Sequence, residues 1–288
     1  MLFSVIVPCY NNAGFLRNCL NSILAQDSSD FEIVAIDDGS TDGTSQILDE
    51  YAAKYDCVHV YHFANSGVAI ARKRGLNLEL GDYVIFVDSD DTINPNLLSE
   101  LKVTLSTHNY PDIVRYQANL VNDAPHKDHQ RYNFTQNLNV NSGIDALKLW
   151  SIEGKKYAVY WLFAFKASIF SKVPVFPKFR CYEDVALIPL LIAASSRVVT
   201  IDYVGYNYTC NNSNSLTNLD TFEDIAKRAN YFYKAYSFAV DHMGKLDGIS
   251  ISNSSFFVTD YTRRLRGMYD SLPEELKAQF EDWFWRLC

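Results

Sequence analysis

The sequence predicts an α/β fold with a mostly parallel central sheet, followed by a small α-helical appendage. The first third of the chain predicts the sheet, because short apolar runs alternate there with stretches of helical periodicity. Polar clusters follow three of these runs, as is typical of the ligand-binding edge of such sheets. The helical pattern that begins near residue 219 predicts the appendage. We expect an α/β domain over residues 1–218, with halves 1–116 and 117–218, and a helical region over 219–288.

The first elements alternate strictly along the chain. Four strands are predicted, at Ser4–Val7, Phe31–Ile36, Val58–Phe63 and Tyr83–Val87. Apolar residues at helical spacing predict a helix between each strand and the next, the last of them over Val68–Leu78. Asn94 and Pro95 are typical of the N-cap and the first position of a further helix. Strands joined by crossover helices run parallel, so we expect their carboxyl ends to meet at one edge of the sheet.

The pattern is less regular in the middle of the chain. Ile113–Tyr116 predicts another strand, and the polar segment Asn122–Asn141 predicts a surface loop or hairpin. Val198–Tyr208 predicts two short strands. From near residue 219 the remaining sequence predicts helices alone.

Composition excludes several classes of protein. Of 288 residues, 48% are hydrophobic and 21% are charged, which is typical of a globular chain. A net charge of −8 argues against nucleic-acid binding, because phosphate neutralisation requires a basic surface. The six cysteines are scattered without CxxC spacing and predict no disulfide framework. The start lacks the pattern of a signal peptide, and no apolar run is long enough to cross a membrane, so we expect a cytoplasmic protein.

Three carboxylates crowd the end of the fourth predicted strand, at Asp88, Asp90 and Asp91. Like charges this close repel unless a cation or hydrogen bonds offset them. Carboxylate oxygens suit Mg²⁺ or Mn²⁺, whose coordination is usually completed by phosphates. The alternative is that these residues are turn and cap aspartates. Taken alone, the run Asp37-Asp38-Gly39-Ser40 is equally consistent with a routine turn.

Together, four motifs in order resemble the opening of the family 2 inverting glycosyltransferases. The motifs are Val5–Asn11, Ala35–Asp42, Asn65–Arg72 and Gly81–Asp91. The resemblance implies a GT-A fold, a nucleotide-binding α/β sandwich in which 1–116 is the nucleotide-sugar half and 117–218 the acceptor half. It also implies transfer of a sugar from a UDP-sugar to a saccharide or lipid-linked acceptor, assisted by Mn²⁺ or Mg²⁺. The products implied are bacterial surface polysaccharides such as capsule or lipopolysaccharide.

The resemblance also implies roles for particular residues. Nucleotide contacts are expected from Pro8, Cys9, Tyr10, Asn11, Asp38, Arg72, Asp88 and Ser89. Among them, Asp38 would accept from the imide of the base, and Arg72 would lie near the base or the phosphates. Asp90 would be the direct metal ligand, and Asp88 would contact the ribose or the metal-bound water.

An acidic pair further along the chain is the candidate general base. By resemblance Asp184 is the first choice and Glu183 the second, taking a proton from the acceptor hydroxyl. The alternative is that two acids at a helix N-terminus only complement its dipole. The acceptor cleft is expected to be lined by three residues from an earlier segment, Trp161, Phe163 and Lys166. The alternative for them is two core aromatics and a surface lysine.

Two departures bear on function. Relatives often have an arginine after the aromatic triplet, but here Tyr206-Asn207-Tyr208-Thr209 lacks it. That absence supports an alternative function, a catalytically silent sugar-nucleotide-binding partner of another transferase. The Gln-x-x-Arg-Trp motif of processive synthases is also absent, which favours addition of a single sugar. A dinucleotide oxidoreductase is excluded because the first turn lacks the GxGxxG pattern.

The end of the chain carries an amphipathic pattern. On a helix, Phe280, Trp283, Phe284 and Leu287 share one face. With the arginines at 263, 264 and 266, this face predicts weak peripheral contact with a membrane that holds a lipid-linked acceptor. The alternative is that the face packs on the catalytic domain or on another subunit, because nearby acids are repelled by anionic lipid.

Overall fold

The fold is described from a computed structural model. The structure describes residues 1–121, 132–133, 138–154, 158–173, 176–179, 181–210, 222–246 and 255–277. Most of the loop or hairpin expected over Asn122–Asn141 lies outside these residues. The amphipathic tail over Phe280–Leu287 and the expected domain boundary at 218 also lie outside them.

The order of strands and helices in the first half follows the sequence prediction. The strands are β1 (Phe3–Cys9), β2 (Phe31–Asp37), β3 (Val58–His62), β4 (Tyr83–Phe86), β5 (Thr92–Ile93), β6 (Ile113–Val121), β7 (Asn139–Val140), β8 (Phe163–Lys166) and β9 (Val198–Thr209). The helices are α1 (Ala13–Leu24), α2 (Thr44–Lys54), α3 (Val68–Leu76), α4 (Leu97–Thr107), α5 (Gly143–Ile152), α6 (Ile169–Lys172), α7 (Glu183–Ala193), α8 (Phe222–Met243), α9 (Ser255–Asp270) and α10 (Glu274–Lys277). A 3₁₀ turn at Tyr160–Leu162 precedes β8.

Most strands of the sheet point in one direction. The order is β3-β2-β1-β4-β8-β6-β9-β5, and β7 pairs with β9. Strands β1 to β4 pair in parallel, whereas β8 is antiparallel to both β4 and β6. Because β4 and β6 are both antiparallel to β8, they run in the same direction as each other. Strand β9 is parallel to β6. The carboxyl ends of β1, β2, β4, β6 and β9 therefore meet at one edge, and the prediction of a mostly parallel sheet is confirmed.

Burial explains why the first strands form the centre of the sheet. Every residue of β1 and β2 is buried, as expected for parallel strands covered on both faces. Two of the three polar residues in these strands pair with each other, since the Ser4 hydroxyl donates to Glu32 Oε1 at 2.5 Å. Helix α3 packs closely on this centre, where a Cβ added to Gly75 would lie 2.7 Å from Ile6.

Two expectations about local structure are wrong. Val198–Tyr208 is part of one twelve-residue strand, β9, instead of two short strands. The register against β6 shifts near Gln117, which lets a long strand bend without breaking. The fourth helix begins at Leu97 instead of Pro95, because Asn94 is used to hold the chain to β9. Its backbone N–H donates to Gly205 O at 2.9 Å, and its side chain donates to Val204 O at 2.5 Å.

The C-terminal helices pack on the acid-bearing helix α7. The Tyr261 hydroxyl of α9 donates to Val185 O at 3.3 Å, and Arg228 Nε of α8 donates to the Tyr182 hydroxyl at 2.9 Å. Phe232 and Tyr261 stack with their ring centroids 5.4 Å apart. The helical C-terminal region is confirmed in residues 222–246 and 255–277, and no helix there or in the rest of the described chain could cross a membrane.

The far end of α7 is fixed by a backbone contact with α5. A Cβ added to Gly143, the first residue of α5, would lie 1.5 Å from Ile192 O. Gly143 N also donates to Ser195 O at 3.1 Å. Only glycine permits this approach, so α5 and the C-terminal end of α7 form one unit.

Candidate active site

The loop after β1 is tied to the two loops beside it. Asn11 adopts a positive φ of 50°, and its side-chain oxygen accepts from Thr41 N at 2.8 Å. Its own N–H donates to Ser40 Oγ at 3.1 Å. Asn12 Nδ2 donates to Ser89 Oγ at 2.7 Å, which connects the loops after β1 and β4. Three of the motifs identified in the sequence therefore form one hydrogen-bonded edge.

The predicted nucleotide contacts differ in exposure. Pro8 and Cys9 are buried, so they can offer backbone and little side chain to a ligand. Tyr10 is 50% exposed and Asn11 is partly exposed. Burial raises the pKa of the Cys9 thiol far above its usual range, so Cys9 is no nucleophile.

Asp37 organises the loop after β2. Its carboxylate accepts from Ser40 N at 3.0 Å and Ser45 Oγ at 2.6 Å, and lies 2.8 Å from His62 Nδ1. Burial opposes ionisation, but these hydrogen bonds outweigh it and lower the pKa of Asp37. His62 also contacts Asp49 at 3.0 Å, and the hydrogen bonds to Asp37 and Asp49 raise the pKa of His62.

Asp38 fixes the loop ahead of α3. Its carboxylate accepts from Ser66 N at 3.0 Å, Gly67 N at 2.7 Å and Arg74 at 2.8 Å. Gly67 has a φ of 90°, which favours glycine at this turn. Asp38 is 2% exposed, and an imide N–H would join these donors or replace one of them. Its expected contact with the base therefore stays a prediction, whereas its hold on the loop is a contact that the sequence did not predict.

The three carboxylates after β4 divide into two kinds. Asp91 is buried and accepts from the Tyr206 hydroxyl and from Thr209 N, both at 2.6 Å. Burial, with the nearby charges of Asp90 and Asp88, raises the pKa of Asp91 well above its usual range. Asp91 therefore joins the loop to β9. Asp88 and Asp90 are partly exposed and have carboxylate oxygens that a ligand could reach.

Arg72 joins the loop after β4 to the acidic pair. Its Nη2 donates to Asp88 Oδ1 at 2.6 Å, and its Nη1 donates to Glu183 Oε1. The guanidinium carbon lies 4.6 Å from the centre of the Tyr160 ring, in cation–π range. Only 7% of the Arg72 side chain is exposed. The structure thus places Arg72 between two carboxylates, and its expected contact with the base or the phosphates stays a prediction.

The two acids of the pair differ in access. Glu183 and Asp184 begin α7, after Tyr182 in a left-handed conformation. Glu183 is 4% exposed, and its burial raises its pKa to about 7 although Arg72 opposes the shift. Asp184 is partly exposed, and its Oδ1 accepts from Val185 N at 2.7 Å. A general base must reach the acceptor hydroxyl, so the geometry favours Asp184 over Glu183.

The residues expected in the acceptor cleft do not share one location. Lys166 pairs with Tyr83 at the amino end of β4, because β8 runs antiparallel, so it lies at the sheet edge opposite Asp88. Phe163 is fully buried in the core. Both positions favour the alternative, a core aromatic and a lysine away from Asp88. Trp161 is 5% exposed and stacks on Tyr206, with ring centroids 4.7 Å apart, so it supports β9 beside the site.

The sequence did not predict the roles of Arg74, Tyr160 and Tyr206. Arg74 holds Asp38, Tyr160 underlies Arg72, and Tyr206 holds Asp91. Tyr206 had one signal, because it opens the aromatic triplet that relatives share. Arg74 and Tyr160 had none, since their partners are distant in the sequence.

A metal site would have to be built from few protein ligands. The described residues contain no group of three or more His, Cys, Asp or Glu side chains arranged around one metal position. Two partly exposed carboxylates, Asp88 and Asp90, share the loop after β4. One or two carboxylates plus substrate phosphates are the usual shell of Mg²⁺, so these residues fit a divalent cation that binds together with a diphosphate.

Comparison with known proteins identifies the family. The model of glycosyl transferase family 2 matches residues 4–170 of the chain. This chain belongs to that family. The YibD glycosyltransferase of Escherichia coli K12 is 38% identical over 115 residues, which are 40% of this chain and 33% of YibD. TuaG of Bacillus subtilis, a putative teichuronic acid biosynthesis glycosyltransferase, is 42% identical over 91 residues, 31% of this chain and 36% of TuaG. The matches thus span about a third of these family members.

Solved structures confirm the GT-A fold. TarS of Staphylococcus aureus, residues 1–349 in complex with UDP-GlcNAc, aligns with a TM-score of 0.65 and 21% identity. The alignment covers 96% of this chain and 83% of the TarS chain. A mannosyltransferase of Pyrobaculum calidifontis, in complex with GDP-Man and Mn²⁺, has a TM-score of 0.59 at 17% identity, over 97% and 78% of the two chains. At these sequence identities the similarity shows the fold alone.

Proposed function

We propose that this chain is an inverting glycosyltransferase that moves one sugar from a UDP-sugar to a saccharide or lipid-linked acceptor. One observation carries the proposal: Arg72 bridges Asp88, in the carboxylate loop after β4, and Glu183, the neighbour of Asp184. This bridge brings a candidate cation site and a candidate base to the same edge of the sheet. Transfer needs both groups, one beside the leaving diphosphate and one beside the acceptor.

The need for a cation at the donor site follows from the charges that meet there. The diphosphate of a UDP-sugar is negative, and so are Asp88 and Asp90, which would repel it without a cation. Bound Mn²⁺ or Mg²⁺, held by Asp90 and Asp88, would neutralise this charge and stabilise the leaving group as a Lewis acid. Tyr10 and Asn11, at the exposed part of the loop after β1, would contact the nucleoside together with Asp38 and Ser89.

The transfer step assigns a proton acceptor to α7. The acceptor hydroxyl attacks the anomeric carbon on the face opposite the diphosphate, and its proton passes to the carboxylate of Asp184. The bond between the anomeric carbon and the phosphate oxygen breaks, and UDP leaves with the electron pair. One displacement inverts the anomeric configuration. Glu183 is buried against Arg72 and takes no proton from the acceptor.

The relatives support the class of substrate. TarS is named as a poly(ribitol-phosphate) beta-N-acetylglucosaminyltransferase, and its structure holds UDP-GlcNAc. TuaG is named for teichuronic acid biosynthesis. These names support a UDP-sugar donor and a bacterial surface polymer for this chain. An acceptor of that kind would place the chain in the cytoplasm.

A donor panel tests the proposal. Purified protein is incubated with UDP-GlcNAc, UDP-glucose, UDP-galactose and GDP-mannose in Mn²⁺, Mg²⁺ or EDTA, and nucleotide release is measured with and without saccharide acceptors. We expect release from a UDP-sugar that requires the metal and rises with an acceptor. A protein that binds UDP-sugars tightly but transfers none to any acceptor would instead be the silent binding partner of another transferase.

A further inference from the structure

Arg72 has a contact pattern that the proposed reaction does not by itself explain. Its two terminal nitrogens donate to carboxylates from different motifs, Asp88 and Glu183. These partners are 16 and 111 residues away in the sequence. A planar guanidinium can hold two carboxylates at a fixed separation, whereas an ammonium group cannot do so in the same geometry.

The surroundings make this bridge rigid. Arg72 is 6% exposed and Glu183 is 4% exposed, so water competes little for their charges. The face of Tyr160, itself buried, lies against the guanidinium at 4.6 Å. A buried carboxylate that loses its cation is strongly destabilising, so the bridge defines where the first turn of α7 can lie.

Position matters at this turn because Asp184 directly follows Glu183. Helix α7 is fixed at its far end by the approach of Gly143 to Ile192. At its near end it begins after Tyr182, whose φ is 64°. A proton acceptor displaced by about 1 Å can lose roughly 10²-fold in rate.

We propose that Arg72 is a positioning residue, which holds Glu183 and the first turn of α7 against the Asp88 loop so that Asp184 meets the acceptor hydroxyl. The inference rests on the proposed function in assigning the proton to Asp184. It differs from the sequence-based expectation, in which Arg72 contacts the base or the phosphates. The two roles predict different kinetic changes.

Kinetics of Arg72 variants separate the roles. We expect Arg72→Met to lower kcat by roughly 10- to 100-fold while the Kd for UDP in Mn²⁺ changes by less than about threefold. Arg72→Lys keeps the charge but not the two-sided geometry, so its kcat should also fall. Lys73→Met is the matched control on the same helix, because Lys73 forms no ion pair with either carboxylate in the described chain. A rise of about tenfold or more in the Kd for UDP, or an unchanged kcat, would overturn the proposal.

Thermal unfolding tests the bridge without any substrate. We expect Arg72→Met to lower Tm by about 6 °C or more, because Glu183 is left buried without its cation. Glu183→Gln in the Arg72→Met background should recover part of this loss, whereas Glu183→Gln alone should lower Tm. Additive Tm changes would show that the residues are not coupled and would overturn the inference. If the pair is coupled but no donor releases UDP, the proposed function fails and the bridge stands.

Discussion

The two halves of the sheet contribute to the site in different ways. In the half formed by β1 to β4, the loops contact one another over short distances, as where Asn11 meets Ser40 and Asp38 meets Ser66. In the half formed by β6 to β9 and α7, single side chains reach across to the first half, as Tyr206 reaches Asp91 and Glu183 reaches Arg72. The proposed nucleotide side is therefore held together by its own short-range contacts, and the proposed acceptor side is positioned by a few long-range contacts.

The largest expected effect is on kcat, and it comes from a change in the second half of the sheet. Asp184→Asn removes the proposed proton acceptor in the second half, so we expect kcat to fall roughly 10²-fold with little change in donor KM. Asp145→Asn is the matched control, an exposed acid in the first turn of α5. Near-normal turnover of Asp184→Asn would move the base to another residue, whereas a large rise in donor KM would place Asp184 on the nucleotide side.

A complementary change in the first half should act on binding. We expect Asp90→Ala to weaken UDP affinity in Mn²⁺ by about tenfold or more, because the diphosphate then faces carboxylates without a well-held cation. Calorimetry with Mn²⁺ and with EDTA measures it. Wild-type protein that binds UDP equally in both conditions would refute a metal-assisted donor site.

Removing a contact that crosses between the two halves should lower the stability of the fold. Tyr206→Phe leaves an oxygen of buried Asp91 without its hydroxyl donor and Asp88 N without the hydroxyl oxygen that accepts from it at 3.1 Å. We expect a loss of about 1–3 kcal/mol in unfolding free energy. Tyr116→Phe is the matched control, since the Tyr116 hydroxyl is also buried but has no hydrogen-bond partner within the described residues. Denaturant unfolding of both variants measures the difference. Equal losses would mean that the hydrogen bonds of the Tyr206 hydroxyl to Asp91 and Asp88 add no stability.

The smallest expected effect concerns pH within the first half. His62 has a pKa raised from 6.5, so its ion pairs with Asp37 and Asp49 stabilise the fold fully below pH 6.5. This contribution is lost as the pH rises through the raised pKa. The His62 side chain is 43% exposed, so we expect less than about 1 kcal/mol. Between pH 6 and 9, the free energy of unfolding should fall less steeply for His62→Gln than for the wild type. Identical slopes for the two proteins would contradict this prediction.

The same contrast explains what the sequence could predict. Strands β1 to β4 and their loops follow from local patterns, because each buried run ends where its polar cluster begins. Glu183 and Asp184 were found by resemblance, but the pairing of Glu183 with Arg72 was not, since no local rule connects residues so far apart. The location of Lys166 at the sheet edge opposite Asp88 could not be predicted, because nothing in its own segment shows that β8 runs antiparallel.

Two of the errors have a common physical cause. Asn94 and Pro95 have the composition of a helix start, and Val198–Tyr208 has the composition of two short strands. In the structure Asn94 donates to Val204 O and Gly205 O, which holds it to β9 ahead of the helix, and β9 stays one strand because it pairs with β6 along its length. Local propensity loses here to a tertiary contact.

Gly143 sets a limit on how this protein can be redesigned. Libraries that vary the acceptor side would naturally include α5 and the segment before it. Any side chain at position 143 would place a β-carbon 1.5 Å from the carbonyl oxygen of Ile192, so the start of α5 or the C-terminal end of α7 would have to move. Position 143 is thus one that selection for a new acceptor must leave as glycine.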